Sequence, residues 1–246
     1  MNRSSVQLDA VLPAARTVRY FFHRQIWHLV AAILLGAAAW AVARPVLGDG
    51  AFLGIADWIW FWGCIAVPVV HQLLGWLVFR GQLGWGILTR WFGDADLRVW
   101  AVVFIPLLAA RPLFLLGLIA SDAGSLGFAP ALRFGVAGVL LIPGVFSMWS
   151  VLRYFGADRA LGGDHFRLKY REMPFVREGA FRWSSNAMYA YVFLLLWALA
   201  LIGNSRAALA VAGFQHAFVW AHYYCTEEPD MQLMYGGESA SDDSSP

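Results

Sequence analysis

Four long apolar runs constrain this chain more than anything else in it. Residues 26–46, 52–79, 99–120 and 134–155 carry one charged residue each. Each covers the roughly 20 residues that a helix needs to cross a bilayer. Inside hydrocarbon the backbone must satisfy its own polar groups, so such runs are helices. Two shorter apolar runs follow, 187–202 and 206–224, joined by Gly203-Asn204-Ser205. At 1.5 Å per residue they are about 24 to 28 Å long, and so short a turn makes them a tight antiparallel pair. The expected fold class is therefore all-α: a polytopic transmembrane helical bundle of about six spans, ending in a helical hairpin. Composition agrees, with 60% hydrophobic and only 14% charged residues, whereas soluble domains are near a quarter charged.

Arginine placement sets an expected orientation. Arg3, Arg16, Arg19 and Arg24 precede the first run, and Arg80, Arg90 and Arg98 follow the second. Arg153, Arg159, Arg167, Lys169, Arg171, Arg177 and Arg182 lie between the fourth and fifth. The alternate loops hold only Arg44, Arg133 and Arg206, so the positive-inside bias puts both termini in the cytoplasm. An integral protein of a bacterial inner membrane is expected, since nearly all the basic residues are arginine. Ala41-Val42-Ala43 resembles a cleavage site, but the long polar lead and the later spans favour a retained anchor.

The expected division is a cytoplasmic amphipathic segment 1–25, a four-helix scaffold 26–155, a loop and hairpin 156–236, and a disordered tail 237–246. The leading segment sets Arg16, Arg19, His23 and Arg24 beside Phe21 and Phe22, which suits a helix on the membrane surface. Disorder is expected for its first dozen residues. Arg111-Pro112 interrupts the third run, and Asp57 and His71 lie in the second. Charges at such depth are rare and mark either structural pairing or function.

Chemistry gathers at the two ends of the hairpin away from its turn. Asn186, Tyr189, Phe193 and Trp197 share one helical face, and His216, Trp220, Tyr223 and Glu227 form a second stripe. An aromatic belt accounts for the rings. It does not account for Glu227-Glu228, which stands at a helix carboxyl end that already carries partial negative charge. That pair needs a cationic partner, either an arginine or a ligand. Before the hairpin, Gly162-Gly163-Asp164-His165 offers a flexible backbone beside a potential base. Cys64, Cys225 and the histidines have no metal-ligand spacing, so no metal is expected.

In order and spacing, Leu161-Gly162, Gly179-Ala180-Phe181, Ser185-Asn186-Ala187-Met188-Tyr189, Glu227-Glu228 and Tyr235-Gly236 form a pattern. It resembles the membrane-embedded methyltransferases of the isoprenylcysteine carboxyl methyltransferase and phospholipid N-methyltransferase superfamily. Ser185, Asn186 and Ala187 stand where that superfamily has Arg, His and Pro. The resemblance implies a cytoplasm-facing site for S-adenosylmethionine, bound by Gly179, Asn186, Tyr189, His222, Tyr223, Glu227 and Glu228. It also implies a lipophilic methyl acceptor, with a phosphatidylethanolamine-type amine favoured. An amine must lose a proton before attack, and Asp164 or His165 is the expected base. A related membrane fold serves NADPH-dependent sterol-type reductases, which is one alternative. A small transporter or structural bundle is another, with Asp57, His71 and Arg111 as its polar path. No nucleic-acid partner is expected.

Overall fold

The computed structural model describes residues 8–236, so the tail expected at 237–246 lies outside the described residues. Helix α1 runs over Gln25–Ala43, α2 over Asp57–Trp85, α3 over Asp96–Ser121 and α4 over Pro130–Ser150. The hairpin consists of α5, Leu194–Ile202, and α6, Arg206–His222, and a short α7 follows at Glu228–Tyr235. The described strands are a two-residue pair, β1 Ala51–Phe52 and β2 Ile55–Ala56. Four helical segments, Val18–Val46, Asp57–Trp85, Ile87–Ser121 and Pro130–Phe155, are long and apolar enough to cross a membrane. The first hairpin helix, Met188–Ile202, is apolar but shorter. Ile26, Trp27, Ile33, Leu34, Val102, Ile105, Val139 and Ile142 point outward, as lipid-facing side chains must.

Helix α6 sits at the centre of the bundle. Its buried positions, among them Ala207, Ala208, Val211, Ala212, Gln215, Phe218 and His222, recur every three or four residues. Ala39 and Ala43 of α1 meet them in one cluster with Phe61, Leu115 and Phe218. Without a hydrophobic drive between helices in lipid, small residues that admit close backbone approach decide which faces meet. The α2–α3 pair interlocks reciprocally. The Phe114 ring fills the space beside Gly63, and the Trp60 ring fills the space beside Gly117. A side chain at either glycine would displace that ring.

The turn end of the hairpin is bolted in place. Asp122 Oδ2 accepts from Ser205 Oγ at 2.7 Å, Ser125 Oγ at 2.7 Å and the Ala207 amide at 3.0 Å. Ser205 also caps α6 through the Ala208 amide. Arg133 donates to the carbonyl of Phe128, ahead of α4, and to those of Leu201 and Ile202 at the end of α5.

Three expectations need revision. Asp57 opens α2 rather than lying within a span, because the strand pair occupies residues 51–56. Its carboxylate accepts the amides of Gly48, Gly50 and Trp58. Arg111-Pro112 does not interrupt the third span, since α3 continues through both Pro106 and Pro112. The N-terminal segment is mostly turns, with a 3-10 turn at Pro13–Ala15 and an α-helical turn at Val18–Phe21, and left-handed Arg24, φ 62°, separates it from α1. Residues 1–7 lie outside the description. From residue 8 the segment is docked, with Leu12 bonded to the Leu83 carbonyl and Arg16 to the Gly84 carbonyl.

Candidate active site

The open end of the hairpin, opposite its turn, is built in layers. The outermost is a buried ion-pair hub. Arg80, fully buried near the end of α2, pairs with Asp230 of α7 at 3.0 Å. It also donates to the carbonyls of Tyr20, Phe21, His23 and Cys225. Tyr20 and His165 reach the same Asp230 carboxylate, at 2.8 Å and 3.3 Å. Complete pairing is what a buried charge requires, and here it ties the leading segment, α2, the 156–187 loop and α7 together.

Asp164 and His165 stand in this hub. The His165 ring stacks on Phe79 at 4.5 Å, and both its nitrogens face acceptors, the Gly162 carbonyl and Asp230. Asp164 accepts from the Tyr235 hydroxyl and lies 3.9 Å from Arg159, while its Oδ1 has no hydrogen-bond partner. Burial, then the bond to Asp164, pushes the Tyr235 phenol up, so it stays the donor of that pair. The loop is clamped to the scaffold by Arg167 on both oxygens of Asp96 and by the Trp100 indole on the Leu161 carbonyl.

The second layer brings the two predicted stripes together. Trp197 donates to His216 Nδ1 at 3.2 Å, and Phe193 stacks on His216. Nearer the opening, the Tyr189 ring meets Trp220 and Tyr223 edge-on, at 6.2 Å and 6.1 Å. Its hydroxyl donates to Glu227, 2.6 Å from each carboxylate oxygen. His222 Nε2 lies 3.4 Å from the same carboxylate, and the ring rests against Gly75 of α2. Glu227 lies beyond the end of α6. Burial pushes its carboxyl up, but the contacts with His222 and Tyr189 outweigh burial and hold it below the usual carboxylate range. Both hairpin helices widen into π turns here, at Met188–Val192 and Tyr223–Glu227. Such turns recur at functional sites because they re-aim side chains.

The third layer lies deeper. The Arg111 guanidinium sits 5.9 Å from the Phe193 ring, one turn inward from Tyr189. His71, one turn inward from Gly75, packs edge-on against Phe104 at 4.3 Å. His28 and Gln72 complete the wall. His28 lies between Gln25 and Gln72 and 5.3 Å from the His222 ring.

Of the residues expected at the site, Tyr189, His222, Tyr223 and Glu227 therefore converge. Glu228 instead pairs with Arg24 at 2.8 Å, which supplies the cation it needed. Asn186 opens the hairpin, its carbonyl accepting from Tyr189 and Ala190. Gly179, at φ +58°, lies against Ser150 and Tyr154, where a Cβ would collide. Sequence reasoning missed Arg80, Asp230, Gln72 and His28. Adjacent His71-Gln72 inside an apolar run was a visible signal for one of them.

The phospholipid methyltransferase family model matches residues 132–238. Over those residues the chain is similar to the phospholipid methyltransferase family. No curated protein and no solved structure gives a significant match to the chain. The matched region begins in α4 and takes in the loop, the hairpin and α7. Tyr189, His222 and Glu227 lie inside it, whereas His28, His71, Gln72 and Arg111 belong to the scaffold that precedes it.

Proposed function

We propose that this membrane protein transfers a methyl group from S-adenosylmethionine to a lipophilic acceptor, a phosphatidylethanolamine-type amine. The observation that carries the proposal is the Tyr189–Glu227–His222 cluster, formed at the open end of the hairpin within the family-matched region. The arginine bias of the loops supports a cytoplasmic opening, where a soluble methyl donor is available.

The residues present fit such a donor. Glu227, held ionised, is an acceptor for an ammonium or for ribose hydroxyls. His222 Nδ1 is buried without a partner and remains free to bond a ligand. Tyr189, Trp220 and Tyr223 offer aromatic faces that attract a sulfonium by about 0.5 to 2 kcal/mol. When bound, S-adenosylmethionine supplies an electrophilic methyl group on sulfur. The chain's own task is to hold two reactants in line, which accounts for most of the gain in such transfers. Gly179 and Asn186 frame the start of the hairpin, and Glu228 with Arg24 fixes the turn that carries Glu227. For an amine acceptor, Asp164 is the proton acceptor of choice because its Oδ1 accepts no hydrogen bond and faces only the 3.9 Å ion pair with Arg159, whereas His165 is held between two acceptors. The outward apolar faces of α1, α3 and α4 suit an acceptor that arrives from the bilayer.

The test is labelled-methyl transfer into a total lipid extract with purified protein, followed by identification of the labelled species. Calorimetry should register S-adenosylhomocysteine and no NADPH. Binding of NADPH alone would favour the reductase reading. No label in any lipid, despite bound donor, would remove the proposed acceptor.

A further inference from the structure

Among the described residues three buried arginines stand on the long helices α2, α3 and α4, and they differ in what surrounds them. Arg80 has an aspartate and four carbonyls, and Arg133 has three carbonyls. Arg111, only 5% exposed, has no hydrogen bond and no ion pair among the described residues, and its buried Nε is without a partner. The Phe193 ring lies 5.9 Å from its guanidinium, and the Tyr189 phenol and His71 lie within electrostatic range of it. His71 is 4% exposed, and both its ring nitrogens lack partners. Gln72 Nε2 and His222 Nδ1 share that condition. Buried polar groups are almost always bonded, so a group of neighbouring exceptions calls for a missing component. Guanidinium, amide N–H and imidazole can all donate, and among the described residues no carboxylate lies within ion-pairing distance of Arg111. The missing component is an acceptor with negative charge.

We infer that Arg111, assisted by His71, receives the oxyanion of a bound substrate, a carboxylate or a phosphate, at the inner limit of the methyltransferase site. The inference rests on the methyltransferase reading of the hairpin and adds to it a residue from outside the family-matched region. Two substrates bring such a group: the amino-acid carboxylate of the methyl donor and the phosphodiester of a phospholipid acceptor. A guanidinium suits either, because its planar fork bonds two oxygens at once. Arg111 is thus a binding residue whose counter-ion arrives with the ligand.

The experiment uses the full chain in nanodiscs, as wild type, Arg111→Met and Arg111→Lys. Binding of S-adenosylhomocysteine and of its decarboxylated analogue is measured, with KM for phosphatidylethanolamine and for a long-chain amine that lacks phosphate. If the anion is the donor carboxylate, Arg111→Met weakens S-adenosylhomocysteine by about tenfold or more, leaves the decarboxylated analogue unchanged, and Arg111→Lys recovers part of the loss. If it is the lipid phosphate, donor binding is unchanged and KM rises about tenfold for phosphatidylethanolamine but not for the amine. In both cases ligand-free Arg111→Met melts no lower than wild type, because it removes an unpaired buried charge. Unchanged binding and KM, or a clear loss of ligand-free stability or failure to fold, would make Arg111 a structural residue and overturn the inference. Absence of S-adenosylhomocysteine binding by the wild type is a separate outcome, and it would remove the methyltransferase reading and this inference together.

Discussion

The two ends of the C-terminal hairpin are made from the same pair of helices, yet they treat their polar groups in opposite ways. At the turn end, Asp122 and Arg133 bond the backbone and hydroxyls of the turn, and Asn204 Oδ1 is the buried side-chain atom left without a partner there. At the open end, His71, Gln72, Arg111 and His222 keep unpartnered nitrogens beside a carboxylate and three aromatic rings. An unmade buried bond costs about 1 to 3 kcal/mol, so such a group persists only where something else compensates it. The turn end behaves as a fastening, and the open end as half of a complex.

That contrast can be broken by substitution. Asp122→Ala leaves the Ala207 amide and two hydroxyls without their acceptor, and should lower stability by about 3 kcal/mol, read as a fall in thermal or denaturant midpoint. The folded fraction should keep its affinity for S-adenosylhomocysteine, and a matching loss of affinity would erase the distinction between the ends. Glu227→Gln should act mainly on the ligand, cutting donor affinity by about 2 to 5 kcal/mol, with a smaller fall in melting at neutral pH. Tyr189→Phe removes one bond to that carboxylate and should cost about 1.5 to 3 kcal/mol of donor binding. Glu228→Gln breaks a pair whose side chains are 40% and 30% exposed, so less than about 1 kcal/mol should be lost in either assay.

The pH dependence sharpens the same point. Glu227 has a lowered folded pKa, so its ionised form contributes to stability above the unfolded value, and that contribution is lost as pH falls through the folded value. Donor affinity should therefore hold through the ordinary carboxylate range and fail only below it. In Glu227→Gln this acid limb should vanish, as titration of S-adenosylhomocysteine against pH would reveal.

How much of this was legible in the sequence depends on the distance over which a contact is encoded. The facing stripes of the hairpin were readable, because periodicity fixes each face and a three-residue turn leaves two helices little choice but to meet. The meeting of Tyr189 with Glu227 follows from that alone. Asp57 was misplaced because an apolar strand pair, Ala51–Phe52 with Ile55–Ala56, reads like the start of a span. The surroundings of Arg111 were not readable at all. They depend on where α3 lies against α2 and α5, which is set by the mutual seating of Trp60, Gly117, Phe114 and Gly63 rather than by any local pattern. Arg80 looked like a loop charge because its run of apolar residues ends one position earlier, although α2 continues to Trp85.

The π turns give the site a dependence on chain length as well as on side chains. The Glu228 amide bonds back to the Tyr223 carbonyl, five residues earlier, so this turn holds one residue more than an α-helix would. Inserting one more residue between 223 and 226 would carry Glu227 further round the helix axis by about 100°, the rotation between successive residues. Glu227 would then swing off Tyr189 with every side chain of the site still present. An insertion here acts like a turned screw: the parts are unchanged, and the aim is lost.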